Sequence, residues 1–137
     1  MPHDLKPLGL AIKRVQHRHH RALDAALIEA GTTLAQWDAL RAIATHPGSS
    51  SHKLAGLTFQ TDQSFGTLAT RLVDRRLIRR VAGEGRAIAH HLTPEGERVL
   101  AAGLEVADRV LGTSFAPLTA AERSQLQALL AKILGDS

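Results

Sequence analysis

Residues 54–80 read LAGLTFQTDQSFGTLATRLVDRRLIRR, and the organisation of the whole chain can be inferred from this segment outward. Its first residues, Leu54-Ala55-Gly56-Leu57, predict a short helix, and residues 62–75 predict a second helix after only four intervening residues. One face of the second helix is apolar, formed by Phe65, Leu68, Ala69 and Leu72. Two short helices joined by a tight turn are typical of a helix-turn-helix.

The opposite face of the second helix is polar and carries Gln63, Ser64, Thr67 and Arg71. Small hydrogen-bonding side chains beside an arginine suit a helix that lies in the major groove of DNA. A solvated surface helix would show the same pattern, so this helix taken alone leaves both interpretations open.

The next segment predicts a β-hairpin. Residues 77–81 and 86–92 are short stretches of strand character, and the loop 82–85 between them contains two glycines. Arg86 follows this loop directly, where we expect it to enter the narrow minor groove, whose negative potential attracts arginine.

Two helices are predicted before this lobe and two after it. Residues 5–30 have apolar residues at helical spacing and end at Gly31, and Thr33 begins a helix that runs to His46. After the hairpin, Thr93-Pro94-Glu95 begins a helix that we expect to run to about Phe115.

A capping box formed by Thr119 and Glu122 begins the sixth helix. The expected fold class is therefore mainly α with a small β-hairpin wing: a winged helix-turn-helix with long N- and C-terminal dimerisation helices.

The chain is expected to be a single domain, 1–137, with residues 34–92 as the DNA-binding lobe and residues 5–30 and 94–134 as a helical dimerisation region. The first, fifth and sixth helices are long relative to the small lobe, so one subunit cannot cover all their apolar faces. A homodimer would cover them and would place two recognition helices about one DNA turn apart.

Charge and composition narrow the function classes. The net charge is +4, and the whole excess lies between Lys53 and Arg86, where there are seven basic and three acidic side chains. Such a patch suits binding to a polyanion, although a solvated basic face would look the same.

The absence of cysteine excludes disulfides, thiolate metal sites and thiol redox sensing. Without an apolar run of membrane-spanning length or a secretion signal, we expect a cytoplasmic protein with no membrane partner.

The order of these motifs resembles the multiple antibiotic resistance regulator (MarR) family over nearly the whole chain. The motifs that carry the resemblance are Leu34-Ala35-Gln36-Trp37 with Leu40, Leu54-Ala55, Thr61-Asp62-Gln63-Ser64, Leu77-Ile78-Arg79-Arg80 and Leu92-Thr93-Pro94-Glu95-Gly96. The resemblance implies a dimeric regulator, commonly a repressor, that binds a palindromic duplex and is released or modulated by a small aromatic or phenolic effector. No cofactor is expected.

Two positions depart from the family pattern. Glu84 replaces the usual aspartate of the wing, and Arg76 stands where many relatives carry glycine before the strand. If Arg76 takes a positive φ, it carries strain of roughly 1 kcal/mol or more.

The residues predicted to contact double-stranded DNA lie in the two short helices and the hairpin. They are Ser51, Lys53, Thr61, Gln63, Ser64, Thr67, Arg71, Arg75, Arg80 and Arg86.

An effector site is predicted from the first two helices. Arg14, His17 or Arg18 can meet a carboxylate, while Trp37 can supply a flat apolar wall. A tryptophan is more often simply part of the core, and that interpretation stays open. The resemblance implies a pocket between these helices and the fifth.

Eight histidines also raise the possibility of a metal-responsive regulator. His17, His19 and His20 cluster in the first helix, but no motif supplies the three or four ligands that zinc needs, and surface or interface histidines are the simpler interpretation.

Two further classes are an enzyme and a winged-helix protein-interaction module without DNA binding. A nucleophile and a base could be supplied by the serines and histidines around residue 50, namely Ser49, Ser50 and Ser51 with His46 and His52. These residues lie in a predicted loop that has no oxyanion motif and no orienting acid. We therefore expect no enzymatic activity. Salt-sensitive binding to one palindromic duplex would distinguish a regulator from both classes.

Overall fold

The computed structural model describes residues 4–83, 85 and 87–136, which fold into six α-helices and a two-stranded hairpin. The helices are α1 (Lys6–Leu27), α2 (Leu34–Thr45), α3 (Ser51–Leu57), α4 (Asp62–Asp74), α5 (Pro94–Ser114) and α6 (Ala120–Leu134), and the strands are β1 (Ile78–Ala82) and β2 (Ile88–Leu92). A 3₁₀ turn, Ile28–Ala30, follows α1. The expected fold class, mainly helical with a hairpin wing, is confirmed.

Threonine side chains begin four of these helices. The hydroxyl oxygens of Thr33, Thr61, Thr93 and Thr119 each accept a hydrogen bond from the backbone N–H three residues later, at 3.0 to 3.1 Å. Glu122 Oε1 also accepts from the Thr119 N–H at 2.9 Å, which completes the predicted capping box. A cap of this kind contributes about 1 kcal/mol, so these helix starts are defined locally by the sequence.

The core of the winged lobe surrounds α4. The predicted apolar stripe of that helix is buried throughout, as shown by Phe65, Leu68, Ala69 and Leu72. Apolar residues from the neighbouring elements pack against it: Leu40, Ile43, Leu54, Leu77 and Val99. The strands pair antiparallel, with Ile78 opposite Leu92. Burial of the stripe fixes the rotation of α4, so the polar face of the helix points outward.

Two non-glycine residues adopt the left-handed backbone conformation. Arg76, between α4 and β1, has a φ of 62°, and Phe59, between α3 and α4, has a φ of 57°. This conformation costs an L-residue roughly 1–2 kcal/mol. At Arg76 the turn is held by Thr93, whose hydroxyl donates to the Arg76 carbonyl at 2.6 Å. The positive φ considered for Arg76 is therefore present, whereas the sequence does not indicate the one at Phe59.

A second, smaller core joins the long helices to α2. It contains Leu27, Leu34, Trp37, Val106 and Ala107. Nearby, Arg109 of α5 pairs with Glu29 at 2.9 Å. Because Leu27 lies at the C-terminal end of α1, this core covers only that end of the helix.

The N-terminal half of α1 and the whole of α6 leave large apolar side chains exposed. On α1 they are Leu8, Leu10, Ile12 and Val15, and on α6 they are Leu129, Leu130, Ile133 and Leu134. Helix α6 buries none of its residues in this subunit. Within the described residues, none of the helices combines the length and the apolar character that a membrane span requires.

Candidate nucleic-acid interface

The exposed face of α4 brings together five of the residues predicted to contact DNA. Thr61, Gln63, Ser64, Thr67 and Arg71 line one shallow groove of about 400 Å³, and all five are exposed. The groove presents hydroxyl, amide and guanidinium groups, which are the donors and acceptors that match base edges. We call this surface the α4 groove.

Hydrogen bonds within the chain divide these five side chains into two groups. Thr61 caps the helix, and the Thr67 hydroxyl donates to the backbone carbonyl of Gln63 at 3.2 Å. Among the residues that the structure describes, the side-chain hydrogen bonds involve neither the Gln63 amide nor the Arg71 guanidinium. Gln63 and Arg71 can therefore bind a ligand without losing an internal bond.

Arg75 and Arg80 make hydrogen bonds within the chain. Arg75 donates to the carbonyl of Gly31 at 2.6 Å and also to Oε1 of Gln36, so it joins the end of α4 to the start of α2. Arg80 donates to Thr70 Oγ1 at 3.1 Å. Both arginines remain exposed, so a phosphate contact would come in addition to these bonds.

Two basic residues that were predicted to contact DNA remain, Lys53 and Arg86. Lys53 is exposed on α3, two residues from the start of that helix. Arg86, expected at the tip of the wing, lies outside the described residues, as does Glu84. The minor-groove contact of Arg86 therefore stays a prediction.

Ser51, in the first turn of α3, contacts a buried histidine that the sequence did not single out. Its Oγ lies 3.3 Å from Nε2 of His90, which is 1% exposed. Nδ1 of the same ring lies 2.9 Å from the carbonyl oxygen of Ser49, and the ring packs edge-on against Phe65 with centroids 6.2 Å apart. The only sequence signal was the alternation along β2, which puts this histidine on the same face as two aliphatic residues.

The three cations predicted to bind an effector carboxylate lie together on α1. Arg14, His17 and Arg18 are exposed and line an open groove of about 710 Å³, whose other lining residues also belong to α1. We call it the α1 groove. In one subunit it has no wall from another helix.

Trp37, predicted as the apolar wall of that site, lies in the second core instead. The side chain is 5% exposed, and its indole N–H donates to the carbonyl of Leu100 at 3.3 Å. The ring sits directly on Gly103 of α5, where any Cβ would clash with it. Within one subunit Trp37 is therefore a core residue, because the face of α2 that carries it packs on α5 and away from the α1 groove.

Another groove lies at the boundary between the winged lobe and the long helices. It has a volume of about 480 Å³ and is bordered by α2, the hairpin and α5. Its lining includes the apolar residues Ile43, Leu92 and Leu100 and the polar residues Arg79, His91 and Glu97. Arg79 and His91 are cross-strand partners, so their side chains share one face of the hairpin.

The described part of the chain does not assemble a metal-binding cluster. Among residues 4–83, 85 and 87–136, no three His, Asp or Glu side chains are placed to hold a metal ion. His52 pairs with Asp62 at 3.0 Å, and the Ser49 hydroxyl donates to the backbone carbonyl of His46 at 2.7 Å. Ser49, His46 and His52 thus serve the local fold, whereas Ser51 lies in α3, not in the predicted loop, and contacts His90.

Comparison with known proteins finds relatives over nearly the whole chain. The model of the MarR family matches residues 30–87. The HTH-type transcriptional repressor Rv2887 of Mycobacterium tuberculosis is 32% identical over 136 residues, which cover 97% of each chain.

Solved structures of that relative share the fold. The complex of Rv2887 with DNA has a TM-score of 0.79 at 27% identity, covering 93% of this chain and 97% of the other. The complex of Rv2887 with salicylic acid has a TM-score of 0.78 at 29% identity, covering 93% of this chain and 96% of the other.

Proposed function

The chain belongs to the MarR family of transcriptional regulators, and we propose that it represses transcription as a homodimer that binds a palindromic DNA duplex and responds to a small aromatic acid. Members of this family are regulators and not enzymes. The observation that carries the proposal is the α4 groove, where five polar side chains of one helix converge. A relative matched over 97% of its length is a repressor, and its complex with DNA has been solved.

Residues 34–92 are proposed as the DNA-binding lobe. Gln63 and Arg71 are the best candidates for contacts with base edges, because an amide and a guanidinium can each make two hydrogen bonds to one base. Lys53, Arg75 and Arg80 are proposed to contact phosphates, which position the protein without reading the sequence. Arg86 is proposed to enter the minor groove.

Residues 5–30 and 94–134 are proposed to form the dimer. The support is the apolar surface of α1 and α6, which one subunit leaves exposed to water. Contiguous apolar patches of this kind mark interaction sites in soluble proteins. A two-fold dimer would cover the patches and would present two copies of α4 to successive turns of the DNA.

The effector is proposed to be a small aromatic carboxylate. Rv2887 has been solved with salicylic acid, and in this chain Arg14 and Arg18 lie one helical turn apart in the α1 groove, with His17 between them. Two guanidinium groups at this spacing can bind one carboxylate. For the ligand to release DNA, it must bind more tightly to a dimer geometry that does not fit the operator.

DNA binding is tested by selecting duplexes from a random library with the purified protein and footprinting the best of them. We expect a palindromic consensus, protection of two half-sites about one turn apart, and affinity that falls steeply with salt. Equal affinity for the selected duplex and for a random one would contradict a sequence-specific regulatory role, and no binding to either duplex would favour the protein-interaction module.

The effector site is tested by titrating salicylate into the complex with the selected duplex. Wild-type protein should release DNA, and the Arg14→Ala/Arg18→Ala double variant should bind the duplex normally but need at least tenfold more salicylate. Arg98→Ala, which removes an exposed arginine from α5, is the control. If Arg79→Ala abolishes the response and the double variant does not, the effector binds in the groove between the hairpin and α5.

A further inference from the structure

We propose that His90 is a positioning residue for DNA binding: it holds the start of α3 and strand β2 in place against α4, and it takes the Ser51 hydroxyl as its hydrogen-bond partner. This inference rests on the proposed DNA-binding function and concerns how α3, α4 and the hairpin are held in place relative to one another.

His90 attaches β2 to the segment that precedes α3. Its backbone N–H donates to the carbonyl of Ser49 at 3.2 Å, and its own carbonyl accepts from the Gly48 N–H at 3.0 Å. The side chain adds a third bond, since Nδ1 lies 2.9 Å from the same Ser49 carbonyl oxygen. The connection between α2 and α3 is therefore fixed to the wing immediately before Ser50, which caps α3.

The direction of each side-chain hydrogen bond follows from the chemistry of its partner. A backbone carbonyl can only accept, so Nδ1 of His90 must carry a hydrogen. In the neutral ring Nε2 then has none and can only accept, so the Ser51 hydroxyl donates to it. A phosphate oxygen also needs a donor. While Ser51 donates to His90, its hydroxyl hydrogen is not available to DNA.

The ring also contacts the recognition helix. Its edge-on packing against Phe65, which is fully buried, places the imidazole between β2, the start of α3 and α4. Of these elements, α3 carries Lys53, α4 carries Gln63 and Arg71, and β2 pairs with the strand that carries Arg80. A side chain that hydrogen-bonds to one segment while packing on another fixes their relative position, because the buried ring nitrogens of His90 keep their partners only in that arrangement.

The first experiment compares His90→Leu, His90→Asn and Val99→Ala on the duplex selected by the wild-type protein and on a random duplex. Leucine keeps an apolar contact with Phe65 but removes both hydrogen bonds, whereas the asparagine amide can still donate to the Ser49 carbonyl. Val99→Ala opens the same core away from this contact and controls for lost stability.

We expect His90→Leu to weaken binding to the selected duplex at least tenfold and to change binding to the random duplex much less. The slope of log affinity against log salt should fall by about one or more, because misplaced surfaces make fewer phosphate contacts. His90→Asn should recover most of the slope. Val99→Ala should leave the slope unchanged, because a smaller folded fraction lowers the affinity equally at every salt concentration.

A double-mutant cycle with Ser51→Ala tests the second half of the proposal. If the Ser51 hydroxyl serves His90, Ser51→Ala should weaken DNA binding in the wild-type background and have no further effect in His90→Leu. Equal losses in both backgrounds would show that Ser51 contacts the phosphate directly, and would overturn the assignment of its hydroxyl to His90.

The outcomes separate this inference from the function on which it rests. If wild-type protein selects no duplex, the regulatory function and the inference fail together. If wild-type protein binds its duplex and His90→Leu binds it with the same affinity and salt slope, the positioning role of His90 is wrong and the proposed function stands.

Discussion

Helices α4 and α6 are similar in length, 13 and 15 residues, and both carry leucines at helical spacing, yet one is enclosed and the other is exposed. Four residues of α4 are buried, whereas α6 has none. The apolar residues of α4 form one sharp stripe, whereas those of α6 spread around its C-terminal half, so leucine spacing shows that each helix has apolar surface to cover but does not show which chain covers it.

For α4 the partner is the rest of the winged lobe, and its packing fixes which side chains face outward. For α6 the structure of one subunit supplies no such cover, so we expect its role to emerge only on association. The first helix combines both situations, since its C-terminal end is packed and its N-terminal half is exposed.

The largest effect should come from opening the core beneath α4. Phe65→Ala removes a fully buried ring and should lower the free energy of unfolding by about 3–5 kcal/mol, measured by urea denaturation. Leu130→Ala on α6 removes a side chain that is exposed in one subunit, so at dilutions where the proposed dimer dissociates it should cost far less. Equal losses would mean that α6 is packed within its own subunit.

The next largest effect is expected on the affinity between the two subunits of the proposed dimer. Ile133→Asp places a charge on the exposed apolar face of α6 and should weaken the dimer at least tenfold, seen by light scattering as a mass approaching that of one subunit. Ser124→Asp puts the same charge on the opposite side of the helix and is the control. If the wild-type protein is already monomeric at micromolar concentration, the proposed dimer is contradicted and the two variants cannot differ in association.

A smaller effect should fall on DNA affinity. Arg71→Ala should weaken binding to the selected duplex by about 1–3 kcal/mol, roughly 5- to 150-fold, with little change in unfolding. Gln63→Ala should alter the preferred base at one position of each half-site. Arg98→Ala loses the same charge away from the α4 groove, and a loss as large as that of Arg71→Ala would reduce the role of Arg71 to general electrostatics.

The smallest effect should come from the turn that leads into α4. Phe59 is 98% exposed with a φ of 57°, so Phe59→Gly removes strain without removing packing. The gain should reach at most about 1 kcal/mol, because glycine also adds entropy to the unfolded chain. A loss of stability measured by thermal or urea unfolding would show that the strain at Phe59 is smaller than the stability lost through the entropy that glycine adds to the unfolded chain.

Much of this architecture follows from local rules that can be read in the sequence. The threonine caps at Thr33, Thr93 and Thr119 and the apolar stripe of α4 depend on residues within a few positions of one another, so they are predictable. Phe59 takes its left-handed conformation because it closes the C-terminal turn of α3, where the N–H groups of Phe59 and Gln60 donate to the carbonyls of Gly56 and Ala55, and no feature of a phenylalanine indicates that.

The residues of the candidate site also divide into those whose placement the sequence predicts and those whose placement depends on distant contacts. The residues of the α4 groove share one helix, so the helical period alone brings them together. Arg75 and Ser51 were predicted to contact DNA from their position and type, but their internal partners Gly31 and His90 are far away in the sequence. Trp37 could not be assigned to the core with certainty, since its contact with Gly103 depends on how α2 crosses α5.

The bonds of Arg75 have a mechanical consequence for any response to an effector. One guanidinium joins the last turn of α4 to the corner formed by Gly31 and Gln36, where the chain passes from the long first helix into the winged lobe. A shift of that corner must either break both bonds or pull the recognition helix along with it. The arginine therefore couples the corner to α4: a displacement that begins among the long helices would reach α4 through these two hydrogen bonds, each of which contributes on the order of 1 kcal/mol.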